Sequence, residues 1–88
     1  MNRNYPELIM QKDITYKKKK INIAIYKTTY FYDIIISSDV KSLIKLRKLQ
    51  EHANLIDYTI FEYPILIWDT TQTIDEAKFI YDMIEEMI

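Results

Sequence analysis

Eighty-eight residues suffice for one small domain and leave no room for two, so residues 1–88 are read as a single unit. Hydrophobic residues make up 49% and charged residues 28%, the usage of a folded chain, and the absence of cysteine excludes both a disulfide framework and a thiolate zinc site. Net charge is −1, yet residues 1–50 carry 11 Lys and Arg against 4 Asp and Glu while residues 51–88 carry 1 against 9, so a basic half precedes an acidic one. Such segregation either builds charged contact surfaces or draws the two halves together in the fold.

In chain order, Asn4 ahead of Tyr5-Pro6-Glu7 is a helix-start signal, and "PELIMQ" is expected to form a short N-terminal helical turn. Ile21, Ile23 and Ile25 then alternate with Asn22, Ala24 and Tyr26, the period of a strand, which the four preceding lysines begin. Lys27-Thr28-Thr29 is polar enough to turn, and Tyr30 to Ile36 is β-branched and aromatic, so a hairpin is expected there. With neither Gly nor Asn at the turn, a longer loop suits it better than a type I′ turn.

Ser37-Ser38-Asp39 supplies capping residues for a helix over "VKSLIKLRKLQEHA", with Val40, Leu43, Ile44, Leu46, Leu49 and Ala53 as its apolar stripe and Asn54 as its stop. Lys41, Lys45 and Lys48 form a basic outer edge. Asp57 to Tyr63 reads as a third strand and Ile65 to Trp68 as a fourth, with a break at Pro64. Thr73-Ile74-Asp75-Glu76 matches a capping box, and Ile74, Ala77, Ile80, Tyr81, Ile84, Met87 and Ile88 then keep helical spacing. The expected fold class is α+β: a mainly antiparallel sheet of about four strands in the order ββαββα, two helices packed against it, and the N-terminal turn.

An antiparallel sheet covered on one face should be polar on the other. Here the alternates still offer Tyr26 with Tyr30 and Tyr32 or with Phe31 and Ile35, and Phe61 and Tyr63 or Leu66 and Trp68. Leu8, Ile9 and Met10, a partner or a second copy is expected to cover them, since large apolar patches are unusual on monomers.

Zero glycine removes the phosphate-cradling loop, the dinucleotide fingerprint and the nucleophile elbow. His52, the single histidine, is placed near a helix end, where the dipole favours a cation more readily than it makes a general base. Ser37, Ser38 and Thr73 have cap roles, and Asp69, Asp75 and Glu76 lack metal-ligand spacing. No enzyme, cofactor or metal is therefore expected. Nothing approaches a signal peptide or the roughly 20 apolar residues of a spanning helix, so a cytoplasmic protein without membrane contact is expected.

Two functional readings remain. Forty-six residues are Phe, Tyr, Met, Ile, Asn or Lys against seven that are Gly, Ala, Arg or Pro, which points to an AT-rich gene of the kind phages and other mobile elements carry. Together with surplus aromatics and segregated charge, this favours a protein-binding module. Its expected role is that of a small inhibitor of a host or defence protein such as a CRISPR effector, using Tyr26, Tyr30, Tyr32, Trp68, Asp75, Asp82, Glu85 and Glu86. A homodimer through the aromatic face is a further form of the same idea. The alternative is nucleic-acid binding by Lys17, Lys18, Lys19, Lys20, Arg47 and Lys48, with the tyrosines stacking on bases. Against it, only two of the twelve cations are arginine, and lysines equally guard a strand edge.

Overall fold

Met10, Lys12, Ile14 and Tyr16 continue upstream the period-two pattern of Ile21, Ile23 and Ile25. In the computed structural model, which describes residues 7–56 and 63–88, both runs are strands. The order is β1 (Glu7–Tyr16), β2 (Lys19–Lys27), β3 (Tyr32–Ser37), α1 (Val40–Arg47), β4 (Asn54–Ile56), β5 (Ile65–Thr71) and α2 (Ile74–Met87). The fold is α+β, with one five-stranded sheet in spatial order β1-β2-β3-β5-β4 and each neighbouring pair antiparallel. The sequence of elements is thus βββαββα, not ββαββα. The expected helical turn over "PELIMQ" is replaced from Glu7 onward by β1, and the capping Asn4 and Pro6 lie outside the described residues. A one-turn helix offers few hydrogen bonds for its ordering cost, whereas β1 pairs with β2 from Glu7 to Tyr16.

The lysine run makes the tightest turn. Tyr16 pairs with Lys19, and Lys17 and Lys18 between them have φ of 50° and 67°, the positive values that a type I′ hairpin turn needs at both central positions. Lysine gains nothing from that region, and each such residue costs roughly 1 kcal/mol. The β2–β3 hairpin closes without positive φ: Thr28 donates its amide to the Phe31 carbonyl at 2.8 Å, and its hydroxyl oxygen accepts from the Phe31 amide. That is the longer loop expected there.

α1 stops at Arg47 instead of reaching Ala53. Beyond it the amides of Lys48, Leu49 and Gln50 bond to carbonyls three residues back, a tightening that turns the chain toward β4. Asn54, expected to stop the helix, opens β4 instead. His52 consequently lies exposed in the turns after the helix, so the dipole argument for it lapses. Of the expected third strand, Asp57 to Glu62 lies outside the described residues. Pro64 does precede a strand, β5, which runs past Trp68 to Thr71.

One face of the sheet carries the core: Ile21, Ile23, Ile25, Ile34, Ile36, Leu66 and Trp68 pack with Leu43 and Leu46 of α1 and Ala77, Tyr81 and Ile84 of α2. A bulge lets Ile35 pair with Ile67 and Ile34 with Asp69, leaving Trp68 as the extra residue, and it is 0% exposed. On the opposite face Ala24, Ile35 and Ile65 are also buried. Leu8, Ile9 and Met10, expected to cover that face, belong to β1 within the sheet, and Ile9 and Met10 pack toward the helix-side core.

Candidate functional site

The site is built on α2. Thr73 caps it, accepting from the Glu76 amide at 3.2 Å, and the Thr73 hydroxyl donates to the Glu76 carboxylate at 3.0 Å. The cap half of the expected box is therefore formed, whereas the Glu76 carboxylate takes the Thr73 hydroxyl in place of the backbone amide. Because Ala77, Tyr81 and Ile84 face the sheet, helical geometry turns Asp75, Phe79, Asp82 and Glu86 directly away from it, in a row about 16 Å long. Phe79 is 65% exposed at the middle of that row.

Asp75, in the first turn, suits the positive end of the helix dipole, but the acids further along do not serve the helix. The last turn of α2 holds no basic residue, although the negative end of the helix dipole favours one, and Asp82 and Glu86 are like charges four residues apart. Both arrangements cost a few tenths of a kcal/mol or more. Glu85 has a structural explanation: Lys12 of β1 reaches across to it at 2.7 Å, lies 3.9 Å from Asp82, and places its ammonium 4.3 Å from the centre of the Tyr81 ring. Burial, followed by the Asp82 and Glu85 charges, holds the Tyr81 phenol above its ordinary value of 10.0. The two halves do attract each other at this cluster. Among the described residues Asp75 and Glu86 take part in no ion pair.

The aromatic residues expected to share a surface are dispersed. Trp68 is wholly inside the core, and Tyr32 packs against that core on the helix side. Tyr26 points to the other face, half-buried, where burial and the neighbouring Tyr63 push its phenol above 10.0. Tyr30 stands 80% exposed in the β2–β3 loop. Among the described residues no single aromatic platform results.

Nor do the basic residues assemble with tyrosines. Lys17 to Lys20 occupy the β1–β2 tip, whereas Tyr26 lies six residues beyond Lys20 along β2, about 20 Å away at strand rise. The ring beside the lysines is Tyr16, 5.5 Å from the Lys17 ammonium but largely buried. Lys19 is drawn to Asp39 at 3.7 Å at the start of α1, while Arg47 and Lys48 sit at its far end. Asp39 caps α1; hydrogen bonding to the Ser42 hydroxyl at 2.6 Å is the main reason its carboxyl lies below the ordinary 3.8.

Phe79 carries no expected role from its spacing, although it and Met83 are the large apolar residues of the C-terminal helix that fall off the apolar stripe. Val40 and Ile44 of the expected α1 stripe, and Met87 of the expected α2 stripe, are exposed instead. Among the described residues no group of three or more His, Cys, Asp or Glu is placed to hold a metal, and no helix is long and apolar enough to cross a membrane. No protein family matches the sequence, no curated protein is detectably similar to it, and no solved structure matches its fold.

Proposed function

We propose that this protein acts without catalysis, by binding another protein through the outer face of α2. The observation that carries the reading is the row Asp75, Phe79, Asp82, Glu86: an exposed aromatic ring among carboxylates, the last of which, Glu86, stands where the helix dipole disfavours it. Aromatic residues anchor interfaces, and surrounding charge of one sign selects and steers a partner of the other. The partner is a protein with a basic groove. An inhibitor of a nucleic-acid-handling host or defence protein is the role that the acidic row and the AT-rich composition favour, with carboxylates occupying phosphate positions.

The test is affinity capture with the wild-type chain, with Asp82→Lys/Glu86→Lys, and with Phe79→Ala, each checked for native circular dichroism. A protein retained by wild type at low salt and lost with both variants supports the reading. Equal retention by all three chains overturns it.

A further inference from the structure

The helix layer presents two outer faces of opposite charge. On α1, the burial of Ser42, Leu43 and Leu46 turns Lys41, Ile44, Lys45 and Lys48 outward, with Val40 and Arg47 beside them, and the helix contains no acid. On α2 the outward row is Asp75, Phe79, Asp82 and Glu86. Each face has an exposed apolar centre, Ile44 beside lysines in one and Phe79 beside carboxylates in the other, where Lys78 is the single cation of the helix. Both helices pack on the same side of the sheet, α1 over β4 and β5 and α2 over β2, β3 and β5. They also run in opposite directions, since α1 returns from β3 to the start of β4 and α2 returns from the end of β5.

We infer that this face of α2 pairs with α1 of a second copy of the same chain. The inference rests on the reading that the outer face of α2 is a contact surface, and it names an occupant for it. Two arrangements bring the helix layers of two copies face to face about a two-fold axis. An axis across the helices sets α1 on α1 and α2 on α2, like charge on like charge. An axis along the helices, between them, sets each α1 on the α2 of the other copy, and the same contact is then made twice, as a two-fold interface requires. Charge selects the second arrangement, bringing Lys41, Lys45 and Lys48 to the acidic row and Ile44 to Phe79. With α2 about 21 Å and α1 about 12 Å long, the footprint is below the roughly 800 Å² per partner of tight complexes, so the dimer is weak and salt-sensitive. A basic partner of α2 competes with α1 for the same face.

The experiment is sedimentation equilibrium over a wide concentration range, with four chains: wild type, Lys41→Glu/Lys45→Glu, Asp82→Lys/Glu86→Lys, and all four substitutions together. At about 50 mM salt the wild type should approach twice its 10.7 kDa, and at about 500 mM its dissociation constant should rise at least about tenfold. Each double variant should be monomeric, and the fourfold variant, with the charges of the helices exchanged, should dimerise again. A wild type that stays monomeric at every concentration and salt overturns the inference, as does a dimer indifferent to both reversals. The salt series needs no variant, so it stands even if a substitution disturbs folding. Failure here leaves the protein-binding reading to the capture experiment: a monomeric wild type that still loses a captured protein on Asp82→Lys/Glu86→Lys keeps that reading and loses only the second copy.

Discussion

α1 and α2 lie on the same side of one sheet, contribute to the same core, and differ in almost everything else. α2 has 14 residues, a Thr73 cap and an apolar stripe buried as far as Ile84; α1 has 8, an Asp39 cap, and two large buried side chains, Leu43 and Leu46. Helix length here follows the continuity of the stripe. Past Arg47, Leu49 would extend the stripe but is exposed, and the chain tightens into turns that deliver Ala53 to the core and Asn54 to β4. The outward faces differ in sign for a reason set along the whole chain: each helix draws its exterior from the charge of its own half.

The largest expected effect comes from the strand that both helices touch. Trp68→Ala on β5 should cost about 3–5 kcal/mol in urea denaturation, since a fully buried indole would leave a cavity beneath the helix layer. A smaller effect of opposite sign is expected at the β1–β2 tip, remote from the outer face of α2. Lys17→Asn/Lys18→Gly should stabilise the fold by about 1–2 kcal/mol, because those residues accept the positive φ that lysine resists. No change in the denaturation midpoint would contradict the strain assigned to that turn.

Between the two helices the caps are the sharper test. Thr73→Ala should cost about 1 kcal/mol, measured by the same denaturation. Asp39 is distinguished by its acid dependence. Its folded carboxyl is depressed, so its stabilising contribution is present above the unfolded value and is lost as pH falls through the lower folded value. The stability difference between wild type and Asp39→Asn should therefore be constant near neutral pH and shrink below about pH 4. A difference that persists at lower pH would mean the cap acts through something other than its charge.

The smallest effect addresses function. Glu86→Lys should stabilise the isolated chain by about 0.3–1 kcal/mol by satisfying the dipole of α2, while weakening any contact made by the acidic row. Loss of stability on that substitution would show that Glu86 serves the fold and would remove it from the proposed face.

Local patterns were legible where one side chain's role depends on its sequence neighbours. The β2–β3 hairpin, the Thr73 cap and the inward stripe of α2 all follow from spacing and short-range hydrogen bonding. β1 was hidden because Lys12 interrupts an otherwise apolar alternation of Met10, Ile14 and Tyr16. Its place on the core side makes sense only once Glu85 and the Tyr81 ring are brought to it from 69 and more residues away along the chain. Tyr26, Tyr32 and Trp68 illustrate the same limit from the other direction: their types suggested one surface, and strand alternation with a bulge in β5 sent them to two faces and the core.

By itself, then, the order of residues determined an antiparallel α+β fold, two helices with inward apolar stripes and opposite exterior charge, because periodicity and capping are local and charge adds along the chain. Tertiary structure decided which strand lies at the edge, where α1 ends, and that Phe79, Ile44 and Val40 remain outside while Trp68 does not. Those outcomes depend on which surfaces meet across the sheet, and a single sheet face has room to bury only part of the apolar surface that the sequence supplies.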